Sequence, residues 1–204
     1  VKDRLYTYPA KSLGRRSGQT AMHILLMGMV RLMAPILSFT SEEVWSYLPR
    51  KWVDVESVHL SRFDDPEDVS FDDVLVKKWE FLVDLKGEVS KALERSRREK
   101  IIGHSLDSIV KIELPDKYKD IIKSFSLELR YIFIVSDVEL VDSIGVEENV
   151  YESDFLPGVK VFSKMHPGKK CERCWHYFEP DTQAGKSNGE ICQRCEDHLQ
   201  VAGA

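Results

Sequence analysis

The chain has 204 residues, 43% of them hydrophobic and 31% charged, and carries a formal net charge of −5. With 10% aromatics it is no wholly disordered chain, and its length suits one large domain or roughly two to three small ones. The most apolar stretch, residues 17–30, is broken by His23 and closed by Arg31, short of the ~20 residues a bilayer span needs, and residues 1–6 have no apolar core behind them to read as a secretory signal.

Charge is unevenly spread. Residues 1–62 carry +4, residues 63–165 carry −8 and residues 166–204 carry −1. The positive excess lies mostly in residues 1–16, where Lys2, Arg4, Lys11, Arg15 and Arg16 face only Asp3. Such a chain does not coat DNA indiscriminately, but one local basic face can still meet a polyanion.

Residues 2–6 read as the last turns of a helix with no cap before it, ended by Pro9, so further residues are expected upstream. Residues 15–37 read as a helix enclosed in a bundle, because Met22, Leu25, Leu26, Met29, Val30, Leu32 and Met33 cover more than one face. Pro35 ends or kinks it. Thr40-Ser41-Glu42-Glu43 reads as a capping box opening the next helix, with Trp45 and Leu48 on its apolar face and Pro49 as its stop. Residues 50–70 read as loop, with a turn at Asp64-Asp65-Pro66. A long helix is predicted over 71–101. Leu75, Trp79, Leu82, Leu85, Val89 and Leu93 recur at three or four residues, Trp45 and Trp79 are expected in the core, and Gly103 is expected to cap the end. Arg95, Arg97 and Arg98 suit the negative end of that helix better than they suit RNA. The period then becomes two. Strands are predicted over 109–114, 131–135, 138–141 and 158–164, with a short helix over 117–125.

All four cysteines fall in the last 34 residues, as Cys171-x-x-Cys174 and, seventeen residues on, Cys192-x-x-Cys195. Two facing knuckles give the tetrahedral sulfur cage that zinc prefers. A redox dithiol needs only one such pair, and secreted disulfide domains spread their cysteines more widely. Four thiolates close the coordination sphere, so the zinc reads as structural and His166, His176 and His198 as bystanders. The first knuckle is flanked by Lys169, Lys170 and Arg173 and followed by Trp175, His176, Tyr177 and Phe178. Rings beside cations suit unpaired nucleotides, while an aromatic after a knuckle also serves to shield the sulfurs.

The residues Lys2-Asp3-Arg4-Leu5-Tyr6, the Arg15-Arg16-Ser17 helix start, the run from Ala34 through Pro35, Phe39 and Glu43 to Trp45, the Lys100–Leu106 segment and Lys170-Cys171-Glu172-Arg173-Cys174-Trp175 resemble the C-terminal region of the bacterial isoleucyl-tRNA synthetases. The resemblance covers nearly the whole chain. It implies an α+β, mainly helical architecture: part of an anticodon-binding helical bundle over 1–70, a long helix and small α/β junction domain over 71–157, and a zinc-binding tail over 158–204. It implies tRNA contacts from Lys2, Arg4, Tyr6, Arg15, Arg16, Lys169, Lys170, Arg173 and Trp175, and one structural Zn2+ on Cys171, Cys174, Cys192 and Cys195. It implies isoleucine tRNA as partner through its anticodon stem-loop, upstream catalytic and editing domains in the same parent chain, a cytoplasmic monomer and no membrane. ATP and Mg2+ belong to that catalytic domain. The two signature motifs of the family's catalytic fold are missing here, so no catalytic residue is expected in this chain. A free-standing zinc-ribbon nucleic-acid binder and a zinc-stabilised protein-interaction module remain the alternatives.

Overall fold

The computed structural model describes residues 1–53, 55–63, 72–145, 149–179 and 189–202. They fall into two compact units, one drawn from residues 1–71 and 198–204, the other from 72–197.

The first unit holds helices α1 (Lys2–Thr7), α2 (Leu13–Met33) and α3 (Ser38–Tyr47). α1 stops where Tyr8, held extended by the following Pro9, leaves the helical region. Ser12 caps α2, its hydroxyl accepting from the Arg15 N–H at 3.3 Å. Met27, Val30, Ala34, Trp45, Leu48 and Val58 form the core. Trp45 is 1% exposed, and its indole donates to the Val55 carbonyl at 3.1 Å.

Two expectations for this unit fail. Thr40 and Glu43 do not form a capping box, since α3 begins earlier, at Ser38, with no side-chain cap. The neighbouring Glu42 carboxylate accepts from Ser57 Oγ at 2.8 Å and Val58 N at 3.1 Å, holding the 3-10 turn Val58–Leu60 against α3. Nor is α2 enclosed: Gly18, Met27 and Val30 are its buried residues, while Ile24, Leu25, Met29 and Leu32 are all more than half exposed. α2 is apolar on more than one face, and the described elements of this unit cover one of them. The turn expected at Asp64-Asp65-Pro66 lies outside the described residues.

The second unit is built on α4 (Asp73–Arg98), capped by Asp72, whose carboxylate accepts from Val74 N and Leu75 N at 3.0 Å each. Leu82, Leu85, Val89 and Leu93 pack into the main core. Trp79 does not: it is 42% exposed and meets Phe125 edge-on at 5.5 Å, because the first turns of α4 run ahead of the sheet-facing core. Lys100, at φ 60°, turns the chain after α4 ahead of the expected Gly103. Glu94 and Glu99 pair with Arg95, Arg97 and Arg98.

α4 lies on a four-stranded sheet of order β2-β1-β4-β3, made of β1 (Ser108–Glu113), β2 (Asp137–Val141), β3 (Tyr151–Glu152) and β4 (Lys160–Met165). β1 pairs parallel with β2 and antiparallel with β4, so α5 (Asp116–Lys123) and α6 (Leu129–Phe133) form the crossover between β1 and β2. Residues 131–135 were expected as a strand and form mostly helix. Leu129 and Phe133, one turn apart, are both buried in the main core, and that burial outweighs the β-propensity of Tyr-Ile-Phe-Ile-Val.

One buried carboxylate joins α4 to the far edge of the sheet. Glu88 accepts from Tyr151 Oη and Lys91 Nζ and from the Ser153 hydroxyl. Burial opposes its ionisation, but the bonds from Lys91, Ser153 and Tyr151 prevail and hold the carboxyl below its ordinary range. A group depressed on folding stabilises fully above its unfolded pKa and loses that contribution as pH falls through the folded one. Glu88→Gln is therefore expected to lower stability by about 1–3 kcal/mol at neutral pH, with the gap from the parent chain closing below pH ~4. Urea melts at both pH values check this.

Candidate zinc centre and nucleic-acid interface

Beyond β4 the chain folds into a hairpin of β5 (Lys169–Lys170) and β6 (Tyr177–Phe178), followed by α7 (Gln193–Ala202). The hairpin turn is the first knuckle. Cys171 N donates to His176 O at 2.9 Å, and Trp175 N to Cys171 O at 2.9 Å, so the chain wraps around Cys171 and Cys174. Gly168 is required at the base, because a Cβ there would run into the Phe178 carbonyl. The second knuckle opens α7, with Cys195 N and Glu196 N both donating to Cys192 O at 2.8 and 3.1 Å.

The two turns bring the four sulfurs within 4.8 Å of one another. Cys174 and Cys192 stand 3.7 Å apart, and Cys192 N donates to the Cys171 sulfur at 3.4 Å. A zinc tetrahedron with bonds of ~2.3 Å has sulfur–sulfur edges of about 3.8 Å, whereas a disulfide requires about 2.05 Å. All four thiols are free. The Cys174 thiol, and after it Cys195, draws Cys192 down to about 3, while contacts with Cys174 and then Cys192 push Cys195 up. Four sulfurs this close cannot all be thiolates without a cation among them, and a dication bound by all four supplies that charge.

The histidines are not among these ligands. His166 is buried, with Nδ1 accepting from Gly168 N at 2.9 Å, and His176 Nδ1 sits 3.2 Å from the Cys174 carbonyl. His198 Nδ1 lies 3.1 Å from Thr7 O, in the first unit.

Contacts that the sequence did not signal seat the tail on the α/β unit. Tyr177 N donates to Ser136 Oγ at 2.6 Å and His166 N to Asp107 O at 2.7 Å. Arg194 Nη1 reaches Tyr131 Oη at 2.9 Å, and the His176 ring meets the Tyr131 ring edge-on at 5.7 Å. No local motif announces such pairings, since each joins segments at least 40 residues apart in the chain.

Trp175 does not shield the sulfurs. Its backbone is left-handed, at φ 67°, and its ring is 61% exposed. Glycine takes that conformation without strain, and a side chain there costs on the order of 1–2 kcal/mol. Lys170 Nζ lies 5.8 Å from the ring centroid, and Lys169 and Lys170 are exposed. Arg173 is half-buried on the same turn and already has an interaction within the protein. The other sequence candidates lie in the first unit. Lys2, Tyr6 and Arg16 are exposed and Arg4 half-buried, while Arg15 turns inward to donate to the Tyr8 carbonyl at 3.3 Å.

Residues 1–114 match the family described as the anticodon-binding domain of tRNA ligase. The chain belongs to that family. Residues 168–197 match the family described as the zinc finger found in FPG and IleRS. The isoleucine–tRNA ligase of Thermoanaerobacter sp. (strain X514) is 43% identical over 202 residues, 98% of this chain and 21% of the relative. That of Dichelobacter nodosus is 40% identical over 204 residues, 100% of this chain and 20% of the relative. The chain thus spans about a fifth of the length of these relatives. The zinc-finger match and the sulfur geometry together support a structural zinc. No helix among the described residues is long and apolar enough to cross a membrane.

Among buried apolar side chains, Cys171 and Cys195 are the only ones described beyond Val161, so the metal must supply most of the folding free energy of the tail, on the order of 10–16 kcal/mol for such sites. Purified chain is expected to carry close to one zinc per molecule by native mass spectrometry. Chelation is expected to unfold the tail and leave most helical circular dichroism, since α2 and α4, of 21 and 26 residues, lie outside it.

Proposed function

We propose that this chain is the anticodon-recognising region of an isoleucine–tRNA ligase, a cytoplasmic enzyme that joins isoleucine to its tRNA with ATP and Mg2+. Chemistry and editing belong to other parts of the parent chain, which acts as a monomer. The observation that carries this reading is the Trp175 ring, held open to solvent by a strained backbone, next to two exposed lysines, on a turn fixed by four sulfurs. The similarity to the two isoleucine–tRNA ligases over nearly the whole chain supports it.

In this reading Trp175 stacks an unpaired base of the anticodon loop while Lys169, Lys170 and Arg173 meet phosphates. Lys2, Arg4, Tyr6 and Arg16 contact the stem-loop from the bundle, and Arg15 fixes the start of α2. Cys171, Cys174, Cys192 and Cys195 hold the zinc, which shapes the turn and takes no part in a reaction. Bases splayed out of a loop are read by stacking and edge hydrogen bonds, so recognition requires rigid rings rather than a deep pocket.

Binding of a tRNA transcript with anticodon GAU is expected to exceed binding of the same transcript with an altered anticodon. Equal affinity for both would favour the non-selective zinc-ribbon binder. Trp175→Ala is expected to weaken binding about tenfold with zinc retained, in keeping with the loss of one stacked base. Log affinity is expected to fall linearly with log salt, as phosphate contacts release counterions.

A further inference from the structure

Trp52 ends the 3-10 turn Arg50–Trp52, which follows Pro49. Leu48 is in the core and Val53 packs against it, but Trp52 is in neither group and is 50% exposed. Trp45 buries its ring and gives its indole N–H to a carbonyl. The Trp52 indole N–H has no acceptor among the described residues. The ring is nevertheless held in place. The His23 ring, on α2, lies 4.7 Å away at 54°, and Lys51 Nζ lies 5.4 Å from its centroid.

Cationic residues adjoin this ring in the chain and along α2. Arg50 and Lys51 precede it, both exposed. Arg16, also exposed, stands seven residues before His23 on α2. That is two turns along the same face, a rise of about 10 Å. None of Arg16, Arg50 and Lys51 has a carboxylate partner among the described residues. A positioned, half-open indole beside cations with no carboxylate partner among the described residues is the arrangement that single-stranded nucleic acid requires, a π-face for a base and charges that track the backbone.

We infer that Trp52, braced by His23 and Lys51, is a second stacking platform, which takes an unpaired base of the bound RNA while Arg16, Arg50 and Lys51 hold the phosphates beside it. This rests on the tRNA reading and places a further contact on the bundle, separate from the zinc knuckle. Stacking accepts every base, so the platform contributes affinity rather than anticodon selectivity.

The test uses the full, zinc-loaded chain and the GAU tRNA transcript. Trp52→Leu keeps an apolar side chain but removes the π-face and is expected to weaken binding about tenfold, while Trp52→Phe stays within about threefold of the parent. Arg50→Gln combined with Lys51→Gln is expected to flatten the salt slope by about 1 to 2. Parental affinity in Trp52→Leu, with the parent chain binding tRNA normally, overturns this inference and leaves the proposed function standing; it would mean that the ring serves an apolar contact. Absence of any tRNA binding by the parent chain overturns both. If Trp52→Leu loses its helical signal, the double glutamine variant decides, and an unchanged salt slope overturns the platform.

Discussion

Four sulfur atoms that must share one cation govern the shape of the tail. Neither β5–β6, with two residues in each strand, nor the turn leading into α7 buries apolar side chains beyond the two fully buried cysteines. An isolated two-stranded hairpin is marginal in water at best. Bound metal converts two loose turns into one rigid object, and only a rigid object can hold Trp175 at φ 67° with its ring in solvent. The strain at Trp175 is tolerated because Trp175 N donates to Cys171 O, and Cys171 is itself fixed by the sulfur cluster. The conformation of this turn is thus coupled to metal through the backbone.

Some of this was legible in the sequence because it is local. A C-x-x-C pair makes one knuckle wherever it occurs, so the metal site could be read from spacing alone. The periodicity of Leu82, Leu85, Val89 and Leu93 likewise specified the sheet-facing side of α4. What could not be read depends on partners remote in the chain. Nothing near Glu42 says that it will bind Ser57 and Val58 rather than cap its own helix. The 129–135 run has β-rich composition, and only the burial of Leu129 and Phe133 makes most of it helical. An αL tryptophan is equally silent, since its residue type argues against that conformation. Trp52 had a signal, the basic-aromatic run Arg50-Lys51-Trp52, but the brace from His23 exists only in three dimensions.

The two units divide their cations differently. In the second unit several are spent on neighbouring carboxylates: Lys91 on Glu88, Lys119 on Asp116 and Asp142, Lys160 on Glu113, and the arginines at the end of α4 on Glu94 and Glu99. These pairs, mostly exposed, add little stability, but they remove the charge from the field that an approaching polyanion feels. Arg16, Arg50, Lys51, Lys169 and Lys170 have no such neutralisation among the described residues.

A net charge of −5 is therefore a poor guide to what the surface attracts. At physiological ionic strength the Debye length is about 8 Å, so a phosphate at the knuckle or beside Trp52 responds to charges within roughly one side-chain length and barely to the −8 carried by the middle of the chain. Both places where these lysines gather also present an exposed tryptophan within 6 Å of a lysine ammonium. Charge alone would attract any polyanion. In the proposed reading the ring beside it favours strands whose bases are already unstacked, and that combination would select a loop over a duplex before any base edge is read.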